Sequence, residues 1–133
     1  YEREPFSKIK LLGEVLSTAK FENQVVWAEI TPKLIEKAEA TQEDTEGIVG
    51  KLRATEEAKV ACLFKQLPED NIKVSLRSKD GVDVSTVASE FGGGGHKVAA
   101  GCMVNGKMEV VKQKILEEIK KRMEDRTKSA KVE

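Results

Sequence analysis

Apolar residues recur along the chain with two different periods, and the changes of period mark out the elements. Between residues 7 and 18, Ile9, Leu12 and Leu16 fall at helical spacing with Leu11 and Val15 beside them. That spacing predicts a helix, weakened at Gly13. Residues 24–30 (Gln-Val-Val-Trp-Ala-Glu-Ile) read as a largely buried strand. Thr31-Pro32 then has the form of an N-cap followed by proline in the first turn, opening a short helix through Ala38. The acidic stretch 39–46 reads as a loop. Asp44 or Thr45 is positioned to cap the next helix, 46–54, with Ile48, Val49 and Leu52 inward.

Residues 58–65 predict a second strand and Ile72–Ser78 a third, joined across Pro68–Asn71 as a hairpin with a longer loop. Asp83 caps a helix whose Val84, Val87, Ala88 and Phe91 form a core-facing stripe. A glycine run and a small-residue segment through Val104 follow, and Asn105-Gly106 makes a turn. The last helix, about 108–124, buries Met108, Val111, Ile115 and Ile119 and carries Glu117–Lys121 and Glu118–Arg122 at i, i+4. Residues 126–133 are polar and read as a flexible tail. Alternating helices and strands with a hairpin in the middle predict one α/β domain, a mixed sheet flanked by helices.

Composition narrows the class. An apolar content of 39% in 133 residues suits a globular domain. No apolar run reaches membrane-spanning length and no secretory signal is visible. Cys62 and Cys102 form no metal-ligand pattern and read as reduced thiols, so a cytoplasmic protein is expected. With 23 basic and 23 acidic residues there is no global field to attract nucleic acid, so any basic site is local. One such patch stands out: Lys73, Arg77, Lys79 and Lys97 lie near His96, against Asp80, Asp83 and Glu90. It suits a small anionic ligand better than a long duplex. Few aromatics are available for base stacking, and Trp27 and Phe64 sit in strands that read as core. The chain begins at Tyr1 rather than Met, as a piece of a longer protein would.

Two segments carry candidate chemistry. In the strand Ile72–Ser78, Ile72, Val74 and Leu76 share one face while Lys73, Ser75 and Arg77 share the other. Arginine offers a planar fork suited to phosphate oxygens and serine a short neutral donor. A solvated sheet face would account for the same row. The second segment is Gly92-Gly93-Gly94-Gly95-His96-Lys97, which contains the one histidine of the chain. Gly92 fits a helix C-cap, but a cap needs a single left-handed residue and leaves three glycines unexplained. Glycine backbone free of side chains can cradle phosphate through its N–H groups. The pattern matches neither a P-loop nor a dinucleotide fingerprint. His96 reads as a donor to an anion; as an acid or base it has no orienting partner visible in sequence. With one histidine and no paired cysteines, no metal site is expected.

Four blocks together, Glu46-Gly-Ile-Val, Val74-Ser-Leu-Arg-Ser78, Asp83-Val-Ser and Phe91-Gly-Gly-Gly-Gly-His-Lys-Val-Ala-Ala-Gly101, resemble the C-terminal DHHA1 domain of the DHH phosphoesterases. The likeness is strongest to the subfamily that hydrolyses short oligoribonucleotides and dephosphorylates phosphoadenosine phosphate. It covers about residues 21–121. The resemblance implies that residues 1–20 end an interdomain connector helix and that 21–125 form a substrate-binding domain. It also implies a substrate-binding set of Ser75, Arg77, Gly92, Gly93, Gly94, Gly95, His96 and Lys97, with no catalytic residue and no metal ligand in this chain. Hydrolysis would belong to a separate DHH domain of the same parent protein, holding manganese or magnesium. The Asp-His-His motif of that domain is absent here, so the chain alone is expected to be inactive. Expected partners are a nucleotide or short single-stranded RNA or DNA and the DHH domain; no membrane is expected, and a homodimer is compatible. A stand-alone nucleotide-binding module, a fragment of a cyclic-dinucleotide phosphodiesterase and the related domain of alanyl-tRNA synthetases are the alternatives.

Overall fold

The computed structural model describes residues 4–132, with side chains through residue 125. Six strands form one mixed sheet, flanked by five α-helices and a short 3-10 helix. In chain order the elements are α1 (Phe6–Leu16), β1 (Lys20–Glu22), β2 (Val25–Ile30), α2 (Pro32–Lys37), the 3-10 helix Gln42–Thr45, α3 (Ile48–Arg53), β3 (Val60–Leu67), β4 (Asn71–Ser78), α4 (Val84–Glu90), β5 (Gly94–His96), β6 (Ala99–Asn105) and α5 (Met108–Val132). The strand order is β1-β2-β3-β4-β6-β5. β2 and β3 are parallel, and all other neighbours are antiparallel. The parallel pair requires a crossover, supplied by α2, the 3-10 helix and α3. None of the described helices is long and apolar enough to cross a membrane.

Period-2 alternation in the strands creates two cores. Val60, Cys62, Phe64, Val74, Leu76 and Cys102 face α4 and α5, which contribute Val84, Val87, Ala88, Val111, Ile115 and Ile119. Val26, Ala28, Ile30, Ala61 and Leu63 face the other way, against Leu11 and Val15 of α1, Ile35 of α2 and Ile48, Val49 and Leu52 of α3. Burial raises the thiol pKa of both Cys62 and Cys102, which favours the uncharged form.

Several expectations are corrected. In α1 the inward residues are Leu11 and Val15, both fully buried; Ile9 is 55% exposed, Leu16 38%, and Leu12 only half-buried. Both stripes obey the helical period, and only the packing against the 3-10 helix, α2 and β2 chooses between them. Asp44 does not cap α3. It bonds back to the Thr41 N–H at 2.9 Å and accepts from Ser7 Oγ, which lowers its pKa, the Thr41 bond first. Gly47, in the left-handed region at φ 80°, occupies the α3 N-cap instead. The loop at 39–46 therefore holds a 3-10 helix. β1 went unforeseen, because its three residues are all exposed and carry no burial pattern. The β1–β2 turn is Asn23-Gln24, both at positive φ, as a two-residue turn of primed type requires. The β3–β4 loop is only Pro68–Asp70. Trp27 is half-buried rather than core. α5 extends past the expected residue 124, with Glu118 paired to Arg122 at 2.9 Å. Residues 1–3 and 133 lie outside the described residues.

Candidate functional site

The helices leave part of one sheet face bare. α1, α2 and α3 cover its β2–β3 half, and the β4, β6 and β5 residues on that face remain solvent-accessible. Residues paired across antiparallel strands project to the same side. Arg77 pairs with Ala99, and Ala99 with His96, so these three form one row. Ser75 pairs with Gly101, and Gly101 with Gly94, forming the next row. Two strand spacings, roughly 10 Å, separate the backbones of Arg77 and His96. Only Ala99 and Gly101 lie between the polar ends of these rows, so small side chains leave a shallow floor between the donors.

The glycines divide by task. Gly92, at φ 82°, ends α4: its N–H bonds to Ser89 O, and the Gly93 N–H reaches Ala88 O at 2.9 Å. Gly93 and Gly95 allow the chain to press against β6. A Cβ on Gly93 would lie 2.1 Å from Gly101 O and 2.6 Å from Cys102 Cβ. On Gly95, at φ 143°, it would lie 2.6 Å from Ala100 Cα. Gly94 has neither constraint; a Cβ there meets nothing within 4 Å. The run is thus not wholly a loop, since Gly94–His96 is an edge strand. Pairing with β6 outweighs the chain-entropy cost of glycine in a strand. An edge strand leaves one row of backbone N–H and C=O groups unpaired by the sheet.

A hydrogen-bonded anchor fixes this hairpin. Ser78 is fully buried, and its hydroxyl lies 2.6 Å from Val82 O and 3.0 Å from Lys97 O. Ser78 N donates to Val98 O, and Val84 N donates to Lys97 O at 2.8 Å. The Lys97-Val98 turn is therefore tied to the end of β4 and the start of α4. Asp83 caps α4, and the Ser85 hydroxyl, ahead of the Ser85 N–H and aided by the Lys97 charge, holds its carboxyl below the usual range. Ser78→Ala should cost about 1–2 kcal/mol, because the buried hydroxyl donates its one proton to a backbone carbonyl, Val82 O being the nearer of the two. Urea denaturation checks this, and an unchanged midpoint would exclude Ser78 as the anchor.

Of the candidate residues, Ser75, Arg77, Gly94 and His96 thus lie on one face. Gly92, Gly93 and Gly95 serve the backbone, and Lys97 lies in the turn with its carbonyl engaged. Arg77 donates from Nη1 to Leu76 O at 2.9 Å. From the Ser75 and Arg77 side, a cleft of about 360 Å³ continues along β4 and β3 past Leu63, Lys73 and Lys65. Its far wall comes from the 3-10 helix and the start of α3, including Thr45, Glu46 and Gly47. Lys65 carries no signal in the sequence; of the 42–47 wall only Glu46 and Gly47 do, as part of the block Glu46-Gly-Ile-Val, and strand register and helix placement bring them all to the cleft. Among the described residues no group of three or more His, Cys, Asp or Glu could hold a metal ion.

Comparison with known proteins gives one consistent answer. Over 120 residues the chain is 35% identical to the bifunctional oligoribonuclease and PAP phosphatase NrnA of Thermus thermophilus, spanning 90% of this chain and 36% of that protein. The crystal structure of an exopolyphosphatase-related protein from Bacteroides fragilis superposes with a TM-score of 0.83 at 28% identity, over 91% of this chain and 36% of that one. The pGpG-specific phosphodiesterase PggH of Vibrio cholerae shares the fold, with a TM-score of 0.59 at 12% identity over 90% and 40% of the two chains. The chain therefore spans little more than a third of the length of these relatives. Residues 22–125 match the DHHA1 domain, and the chain belongs to that family.

Proposed function

We propose that this chain is the substrate-gripping domain of a DHH-type phosphoesterase and binds the phosphate of a nucleotide or short oligoribonucleotide. One observation carries the proposal: the sheet register puts Arg77 and His96 in one row and Ser75 and Gly94 in the next, on an uncovered face. Arg77 supplies a fixed positive fork, His96 and Ser75 supply further donors, and the glycine edge supplies backbone N–H groups. The name of the Thermus relative, an oligoribonuclease and PAP phosphatase, favours short RNA and phosphoadenosine phosphate as substrates. Hydrolysis is assigned to a DHH domain of the parent protein, which would hold manganese or magnesium; the described residues offer no comparable metal cluster. A homodimer is compatible with the proposal and is not needed by it.

The isolated chain should bind a nucleoside monophosphate weakly, because half of the cleft's contacts are missing while the ordering cost remains. An NMR titration should shift amide signals of residues 92–97 together with Ser75 and Arg77. Unchanged signals there at millimolar ligand would refute the phosphate grip.

A further inference from the structure

The cleft begins at Arg77 and Ser75 and runs along β4 and β3 away from His96, and its far end has its own chemistry. Lys65 on β3 is paired directly with Lys73 on β4, so two ammonium-bearing side chains project from neighbouring positions on the same face. Like charges so placed destabilise a sheet pair. Among the described residues no ion pair neutralises either lysine. Lys65 is half-buried, and its Nζ donates to Thr45 Oγ1 at 3.1 Å, which holds the ammonium against the cleft wall. Burial, then the Lys73 charge, lowers the Lys65 pKa, opposed by the Glu46 charge; Glu46 and Glu43 line the facing wall, and neither forms an ion pair with the two lysines. A pair that repels itself, in a cleft roomy enough for a ligand, is relieved when an anion sits between its members. Lys73 lies four residues from Arg77, roughly 13 Å along the strand. With Ser75 between them, that distance suits two separate anionic groups on one ligand.

We propose that Lys65 and Lys73 form a second phosphate subsite that selects ligands bearing two phosphates over ligands bearing one. The subsite deepens, and rests on, the reading of Ser75, Arg77 and His96 as the first phosphate grip. The second phosphate is either the terminal group of a nucleoside bisphosphate or the internucleotide group of a 5′-phosphorylated dinucleotide. Thr45 is a positioning residue, acting through Lys65.

The test compares three ligands by NMR titration of the full chain at one pH and fixed salt: adenosine monophosphate, adenosine bisphosphate and a 5′-phosphorylated diadenylate. For the wild type, at least one two-phosphate ligand should bind about tenfold or more tightly than the monophosphate, as a charge-assisted contact implies. The arm that gains identifies which geometry fits. In the Lys65→Gln/Lys73→Gln double variant that ratio should fall to about twofold. Lys73→Glu, at an exposed position of β4, should lower it at least as far. Lys107→Gln removes the same charge outside the cleft and should leave the ratio as it is. The subsite is overturned if no two-phosphate ligand is preferred, if the double variant keeps the preference, or if Lys107→Gln abolishes it equally. In those cases monophosphate shifts around 92–97 still uphold the first grip. If no ligand shifts those signals, the first grip fails and the second falls with it.

Discussion

Gly93→Ala should lower the unfolding free energy by about 3 kcal/mol, while Gly94→Ala, one residue on, should change it by less than about 1 kcal/mol in either direction. The contrast follows from what a methyl would meet. At Gly93 the added atom lies 2.1 Å from a backbone carbonyl oxygen of β6, and backbone cannot swing aside as a side chain can. Either β5 lifts off β6 or the end of α4 shifts, and both loosen the contact over Cys102 and Ala100. Gly95→Ala should behave like Gly93→Ala, since it combines a clash with Ala100 and a φ of 143° that alanine rarely adopts. At roughly 3–5 °C per kcal/mol for a domain of this size, Gly93→Ala should melt about 10 °C below wild type. Thermal denaturation followed by circular dichroism measures both variants. Gly94→Ala should instead be seen in binding, because its methyl enters the row shared with Gly101 and Ser75. Equal melting temperatures for the two variants would mean that the glycine run is a slack turn, not a packed edge strand.

Arg77→Lys should weaken nucleotide binding by about 1–3 kcal/mol, although the charge is kept. Lysine lacks the planar fork, and its ammonium cannot offer a phosphate two parallel donors. His96→Asn should cost less, because the amide keeps a donor at the same place in the row while losing the ring's second nitrogen. Calorimetric affinities of wild type and both variants for one nucleoside monophosphate, at one pH and fixed salt, decide the matter. If His96→Asn leaves the affinity as in wild type, His96 only closes the hairpin against Ala99. In the complete enzyme both substitutions should raise KM, and Arg77→Lys should also lower kcat if the fork positions the scissile phosphate.

Much of the fold was written locally. β2, β3 and β4, the Thr31 and Asp83 caps, and α4 with Val84, Val87 and Ala88 inward all follow from period and capping chemistry that act within a few residues. The alternation Lys73, Ser75, Arg77 against Ile72, Val74, Leu76 put the basic row on one face before any sheet was known. The four glycines and His96 announced an unusual backbone by composition alone.

Tertiary structure decided what those residues meet. In α1 the period allowed two apolar stripes, and packing against the 3-10 helix, α2 and β2 selected Leu11 and Val15. The glycine run read as a loop because chain entropy disfavours glycine in strands, yet β6 recruits Gly94–His96 as an edge strand at a separation that only Gly93 and Gly95 allow. That pairing, together with β4 against β6, sets His96 in the row of Arg77 and Gly94 in the row of Ser75. β4 and β6 pair across more than twenty residues of chain, so no local pattern encodes their register, whereas β5 and β6 close over the two-residue turn Lys97-Val98. Lys65 is the clearest case: a lysine at the end of an apolar strand says nothing in sequence. Pairing with Lys73 and the hydroxyl of Thr45, twenty residues earlier, turn it into a cleft residue. The residue types of the site were legible along the chain, while their assembly on one face was fixed by strand order and register, which are properties of the whole sheet.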